Sequence, residues 1–320
     1  MNPQAGARIA VVGVGAIGGA LAADLADRGR HRLVLCARTP IDGLVVDHTE
    51  GCSTVAATVA TDPVSARDAF GEPPAPDWIL LATKAHQTPA ARPWFDALCG
   101  PRTRIAILQN GVDHVERLQP LVPAGTDLVP VVIQLPATRR EPGRIHQSHS
   151  GMLFVPDDAD GRDFAALFEG GRTRVRSTSD FHSQAWWKLL SNAALGGVCA
   201  LTLQPNRVAA DPGLRGLVVA LMEEIAAVGR AEGAKLPADA PDKVLARVLD
   251  AAPDHWSSIT VDRREGRRME WEVRNAVVGR LGRRHGIATP LNDAVTALLC
   301  AADRGLAESP GSSTARRPGS

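Results

Sequence analysis

Apolar residues in the first 110 positions fall into short unbroken runs separated by stretches of helical spacing. Ala7–Gly13 (ARIAVVG) is one such run and ends in glycine. Ala16–Arg28 follows, with Ile17, Leu21 and Leu25 at i, i+4 and i+8, and is predicted to be a helix. Arg32–Ala37, Trp78–Thr83 and Arg104–Leu108 are further apolar runs, the last stopped by Asn110-Gly111. Runs of this kind, alternating with helical stretches, predict a parallel sheet covered on both faces. Leu128–Leu135, Arg144–Gln147 and Met152–Val155 add strand-like segments that extend or flank it.

Beyond about Ser177 the pattern changes to helical periodicity throughout. Ser179–Ala200, Gly213–Glu232, Pro241–Ala251, Arg268–His285 and Pro290–Asp303 read as helices. Asp211-Pro212 and Ala240-Pro241 resemble helix starts, and Gly233 and Gly286 resemble helix stops. The expected organisation is an α/β unit over residues 1–178, a helical unit over 179–308 and a polar, low-complexity, disordered tail over 309–320.

Composition narrows the function classes. The chain has 320 residues, enough for two domains at roughly 100–200 residues each. A net charge of +1 supplies no basic field for nucleic acid. No apolar run approaches the roughly 20 residues that span a bilayer, and Met1 to Arg8 lacks the apolar core of a secretory signal. Five scattered cysteines without a CxxC pair fit buried thiols in a reducing cytoplasm. The nine histidines show no HxH or HxxxH spacing, and the neighbours His146 and His149 read as surface residues, so no metal site is expected. With no tyrosine in the chain, a general acid must be another residue type.

Gly13-Val14-Gly15-Ala16-Ile17-Gly18 is a GxGxxG hexapeptide closing the first strand and opening the first helix. That context points to a dinucleotide site. Gly13 allows the turn, Gly15 a close backbone approach to pyrophosphate, and Gly18 tight helix–strand packing, with phosphates at the helix N-terminus. An NAD site usually has Asp or Glu at the end of the second strand. Here Cys36-Ala37-Arg38-Thr39 stands there, and the Arg38 fork suits a 2′-phosphate, so NADPH is expected. Lys84 and Asn110 end the third and fourth strands, at the edge where ligands of such sheets bind.

In the helical half, Lys188 and Asn192 stand at i and i+4 within Trp186-Trp187-Lys188-Leu189-Leu190-Ser191-Asn192. Two readings are open. Lys188 is either a snorkelling surface lysine, which spacing alone favours, or an amine with a lowered pKa that donates a proton near neutrality. Asp262–Arg268 is a charge run whose default meaning is a solvated face.

These scattered residues are joined by resemblance. GVGAIGG, Arg38, Thr83-Lys84, Gln109-Asn110-Gly111, Pro142-Gly143, Trp187 to Asn192, Pro205-Asn206, Ser257-Ser258, Asp262, Glu270 and Gly286 to Pro290 appear in the order seen in ketopantoate reductases. The chain resembles that family to about residue 305. The resemblance implies a Rossmann doubly wound domain followed by an all-helical domain like that of 6-phosphogluconate dehydrogenase. It implies NADPH-dependent reduction of a small 2-oxo acid, most of all 2-dehydropantoate to pantoate in pantothenate biosynthesis. Lys188 corresponds to the general acid, and Glu270 to an acidic residue that orients it. Asn192, Asn206, Ser257 and Ser258 correspond to substrate contacts; Lys84, Asn110 and Ala137 to cofactor contacts. One departure leaves substrate identity open: some members carry a second asparagine where this chain has Gly196. Another ketone or imine substrate, or an NADP-binding protein without turnover, are the alternatives. Neither nucleic acid nor membrane is an expected partner. The oligomeric state is not set by sequence, with a homodimer as the candidate assembly.

Overall fold

The computed structural model describes residues 6–308; the expectation of a disordered tail falls outside them. Two compact units divide between Phe181 and His182.

The first unit opens with β1 (Arg8–Val12), α1 (Ala16–Ala26), β2 (Arg32–Cys36), β3 (Leu44–His48), β4 (Gly51–Val55), β5 (Thr58–Ala60) and α2 (Pro63–Asp68). It continues with β6 (Trp78–Leu81), α3 (Arg92–Leu98), β7 (Arg104–Ile107), α4 (His114–Leu118), β8 (Asp127–Pro130) and β9 (Val132–Gln134). It closes with β10 (Ala137–Glu141), β11 (Arg144–Gln147), β12 (Met152–Pro156), α5 (Ala159–Leu167) and β13 (Arg174–Thr178).

Six strands form one parallel sheet in the order β5-β2-β1-β6-β7-β8. The chain winds outward from β1 in one direction, then returns and winds outward from β6 in the other. The doubly wound expectation therefore holds, with the switch point between β1 and β6. Ile9 and Val11 join one buried cluster with Leu21, Leu25, Trp78 and Leu80. Ala10 and Val12 join another with Ile79, Phe95, Ile105 and Ile107. Because alternate strand residues point to opposite faces, burial on both sides requires continuous apolar runs.

The later strand signals divide in a way the sequence reading left open. The 128–135 stretch splits, β8 joining the main sheet and β9 a three-stranded sheet ordered β13-β12-β9. β11 joins a four-stranded sheet ordered β10-β11-β3-β4. That small sheet packs on α1, where a Cβ on Gly19 would collide with the Ile145 side chain. β3, β4 and β13 give weak sequence signals because they are short and half-exposed, so polar residues interrupt the apolar pattern.

The second unit is helical. A rod starting at α6 (Phe181–Leu189) runs through a π-helical segment (Leu190–Leu195) into α7 (Gly196–Thr202). Then come α8 (Pro212–Ala231), α9 (Ala240–Ala251) and α10 (Ser258–Arg264). A second π-helical segment (Glu272–Ala276) leads into α11 (Val277–Arg284), and α12 (Pro290–Glu308) follows. The helix starts and stops read from sequence are used as expected. The Asp211 carboxylate accepts from Gly213 N at 2.7 Å with Pro212 behind it, and Gly233 and Gly286 take positive φ. Trp186 is fully buried against α8, where a Cβ on Gly229 would lie 2.9 Å from its ring. Glu224 of α8 accepts from the backbone N–H of Leu291 and Asn292 at 3.0 and 2.9 Å, placing a carboxylate on the N-terminus of α12.

Candidate active site

In the first unit, the three glycines of the hexapeptide do separate jobs. Gly13 has φ +102°, and a Cβ there would lie 2.7 Å from Thr83 N. A Cβ on Gly18 would collide with the Gly13 carbonyl oxygen. Both positions need glycine for the fold alone. A Cβ on Gly15 would meet nothing within 4 Å. Gly15 therefore leaves open space at the N-terminus of α1, whose first turn carries no acidic residue. That is the cradle a pyrophosphate requires, so the residues present fit a dinucleotide. The Val14 and Ile17 side chains, by contrast, pack against the buried cluster.

The segments that follow β6 and β7 are tied to each other. Buried Gln109 donates through Nε2 to the Thr83 carbonyl at 3.0 Å and to the Thr88 hydroxyl at 2.8 Å. His114 and the Gln109 carbonyl share a hydrogen bond of 2.9 Å, and Arg117 donates to the Asn110 carbonyl at 3.3 Å. Gly111, at φ +110°, turns the chain away. Lys84 and Asn110 thus lie at the edge the sequence predicted, on loops held by backbone bonds. Arg38 follows β2 and is exposed, with no carboxylate before Asp42. Ala137 starts β10 in the small sheet, and its side chain packs on the core.

The second unit holds the titratable cluster. Lys188 lies in the last turn of α6, a half-buried residue whose ammonium is strongly desolvated. Burial pulls its pKa from 10.5 to about 7; the Arg274 charge lowers it too, while the Glu270 charge opposes both. Glu270 is buried at 4% exposure, just before the turn that enters the second π segment. Its neighbour Met269 donates from N to Asp303 Oδ1 of α12 at 2.8 Å, which anchors the approach. Arg274 is 2% exposed and donates from Nη2 to Ser258 Oγ at 2.7 Å. Burial lowers its pKa, opposed by Glu270 and Asp262.

The two π segments are linked: Asn275 Nδ2 donates to the Ala193 carbonyl at 2.9 Å. π turns widen a helix and shift side chains around its axis, and they concentrate at functional sites. The first begins two residues after Lys188 and carries half-buried Asn192. The i, i+4 relation predicted for that pair is therefore not that of an uninterrupted α-helix.

Residues 9–159 match the family described as ketopantoate reductase PanE/ApbA, and residues 180–303 match its C-terminal family. A 2-dehydropantoate 2-reductase from Caulobacter vibrioides is 45% identical over 92% of this chain and 98% of its own length. The chain belongs to the ketopantoate reductase family. A Mycobacterium tuberculosis 2-dehydropantoate 2-reductase is 38% identical over 93% of this chain and 98% of its own. The crystal structure of a PanE/ApbA family ketopantoate reductase from Ralstonia eutropha superposes with a TM-score of 0.84. It is 26% identical and covers 94% of this chain and 99% of that one.

Within this member of the family, the sequence-selected residues of the helical unit behave unequally. Ser258 is exposed and bonded to Arg274, whereas Ser257 bonds the Thr260 hydroxyl at 2.7 Å. Asn206 is buried, donates from Nδ2 to the Ala252 carbonyl at 3.0 Å and accepts from the Cys199 thiol at 3.9 Å. Its amide is engaged in holding the chain. The charge run is not a uniformly solvated face either. Asp262 is 3% exposed and paired with Arg267 at 3.0 Å, because α10 turns it inward while the arginines around it reach out. Arg274 was missed altogether. Its signal was available: it stands four residues after Glu270 among Val273, Ala276 and Val277, where a solvated arginine is out of place. Among the described residues, no group of three or more His, Cys, Asp or Glu is placed to hold a metal, and no helix is long and apolar enough to cross a membrane.

Proposed function

We infer that this chain is an NADPH-dependent 2-dehydropantoate 2-reductase that converts ketopantoate to pantoate. The observation that carries the reading is Lys188, a lysine whose pKa has been brought to about 7 beside Glu270. A purely structural lysine has no need of that value; a proton donor working near neutrality does.

Bound NADPH would supply the hydride for C2 of the 2-oxo acid. The backbone from Gly13 to Gly18 would hold the pyrophosphate, Arg38 the 2′-phosphate, and Lys84 and Asn110 the nicotinamide side, with Ala137 a further cofactor contact. Lys188 gives its proton to the carbonyl oxygen as negative charge develops there, and its cationic form stabilises that charge beforehand. Glu270 keeps the amine partly protonated against the pull of burial. Asn192, Ser257, Ser258 and Asn206 are the substrate-side candidates, and among them Ser258 is exposed while Asn206 is buried. The Gly196 position favours a second reading, the same chemistry on a different ketone or imine, since no amide side chain is present there to bond a substrate hydroxyl. The cytoplasm is the compartment we propose, supported by five cysteines that remain unpaired. A homodimer is the assembly to be read by sedimentation.

The test is NADPH oxidation with ketopantoate beside a panel of other 2-oxo acids, with NADH as control. A kcat/KM of about 10⁴ M⁻¹s⁻¹ or more for ketopantoate, with preference for NADPH, is expected. NADPH binding without turnover of any 2-oxo acid would overturn the reading.

A further inference from the structure

Arg274 is absent from the residues that the family resemblance singles out, yet it is the most deeply buried cation around Lys188. Three facts describe its surroundings. Its Nη2 donates to the oxygen of Ser258, an exposed residue, at 2.7 Å. Its Nε is buried without a hydrogen-bond partner. Its Nη1 lies 3.6 Å from where a Cβ on Gly196 would stand, so a longer side chain at 196 would enter the space the guanidinium occupies.

The chemistry follows from donor bookkeeping. A serine hydroxyl has one proton and two lone pairs. When its oxygen accepts from an arginine, the O–H proton is left to point at some other acceptor, and the cation behind polarises it. Glu270 acts on both Lys188 and Arg274, Asp262 acts on Arg274, and the exposed Arg267 is paired with Asp262 and Glu265.

We propose that Arg274 is a positioning residue that commits Ser258 to donate its hydroxyl proton to the substrate carboxylate, so that the pair selects an anionic 2-oxo acid over its neutral analogues. This rests on the reading of the chain as a 2-oxo acid reductase. Gly196 borders the guanidinium: a Cβ there would be in ordinary contact with Nη1, so only a side chain longer than alanine would crowd it.

The test compares ketopantoate with its primary amide at pH 6, below the Lys188 pKa, so that protonation of the lysine does not enter. Arg274→Met is expected to raise KM for the acid about tenfold or more, as for loss of a charge-assisted hydrogen bond, with little change for the amide. Arg274→Lys should restore part of the preference. Ser258→Ala should lower it alone, and Arg274→Met should add nothing in the Ser258→Ala background. Gly196→Asn, which leaves both residues in place but crowds the guanidinium, should shift the acid-to-amide ratio the same way. Equal losses for acid and amide in Arg274→Met, or effects on the ratio that simply add, would overturn the proposal. If the parent enzyme reduces no 2-oxo acid, the functional reading falls on its own. Calorimetric binding of oxamate then still decides: about tenfold weaker binding to Arg274→Met supports the pair, and equal binding refutes it.

Discussion

The parallel-sheet unit and the helical unit achieve their candidate chemistry by opposite means. In the first, the functional surface is backbone: Gly15 contributes open space, and α1 contributes N–H groups and a partial positive charge. In the second, it is side chains forced into an unfavourable setting: Lys188 stripped of water, Arg274 buried with an unpartnered Nε, and two π segments pinned by Asn275. A backbone site tolerates almost any side chain that stays out of the way but demands glycine at set positions. A side-chain site depends on every neighbour that excludes water or adds charge. The first kind should break by steric intrusion and the second by charge change.

The sharpest way to separate them is Lys188→Ala. It should lower kcat about 1,000-fold, within the range for loss of a general acid, while NADPH affinity measured by fluorescence titration stays within about twofold. Equal losses in both would mean the two units do not divide the labour in this way.

Within the sheet unit, two glycines adjacent in the motif should respond in contrary ways. Gly18→Ala places a Cβ against the Gly13 carbonyl and should cost about 3 kcal/mol or more in urea unfolding. Gly15→Ala meets open space, so stability should change by about 0.5 kcal/mol or less while NADPH binding weakens about tenfold. A Gly15→Ala protein with unchanged affinity would remove the pyrophosphate from this loop.

Arg38→Ala should weaken NADPH about 10- to 30-fold and leave NADH nearly unaffected, as expected when one charge-assisted contact to a phosphate is lost. A parallel loss for both cofactors would place the 2′-phosphate elsewhere.

The smallest effect is a displacement of the pH profile. Reduction needs the protonated amine, so kcat should be flat below about pH 7 and fall tenfold per unit above it. Glu270 raises the Lys188 pKa, so Glu270→Gln should move the falling limb to lower pH. A limb that moves upward would mean that burial, not this charge pair, sets the response to Glu270.

Much of the sheet unit was legible in the chain because its determinants are local. Burial on both faces writes itself as continuous apolar runs such as Trp78 to Leu81, and the Gly13–Gly18 spacing is a property of one turn. Strands that are half-exposed, such as β4, were missed because their alternation is interrupted by polar residues. In the helical unit, caps such as Asp211-Pro212 and stops such as Gly233 could be read for the same local reason. The roles of individual polar residues could not. Asn206 and Ser258 look alike in sequence, each a small polar residue beside an apolar stretch, yet one amide is engaged in holding Ala252 and the other side chain is presented to solvent.

The presence of the main-sheet strands, helix caps such as Asp211-Pro212 and the glycine turn after the first strand were already written into neighbouring residues, because backbone conformation and side-chain period act over a few positions. The lowered pKa of Lys188, the burial of Arg274 and the π-helical registers around them were decided only in three dimensions. Desolvation depends on all the atoms that surround a group, and those atoms come from α6, α10 and the segment before α11, as much as 86 residues apart between Lys188 and Arg274.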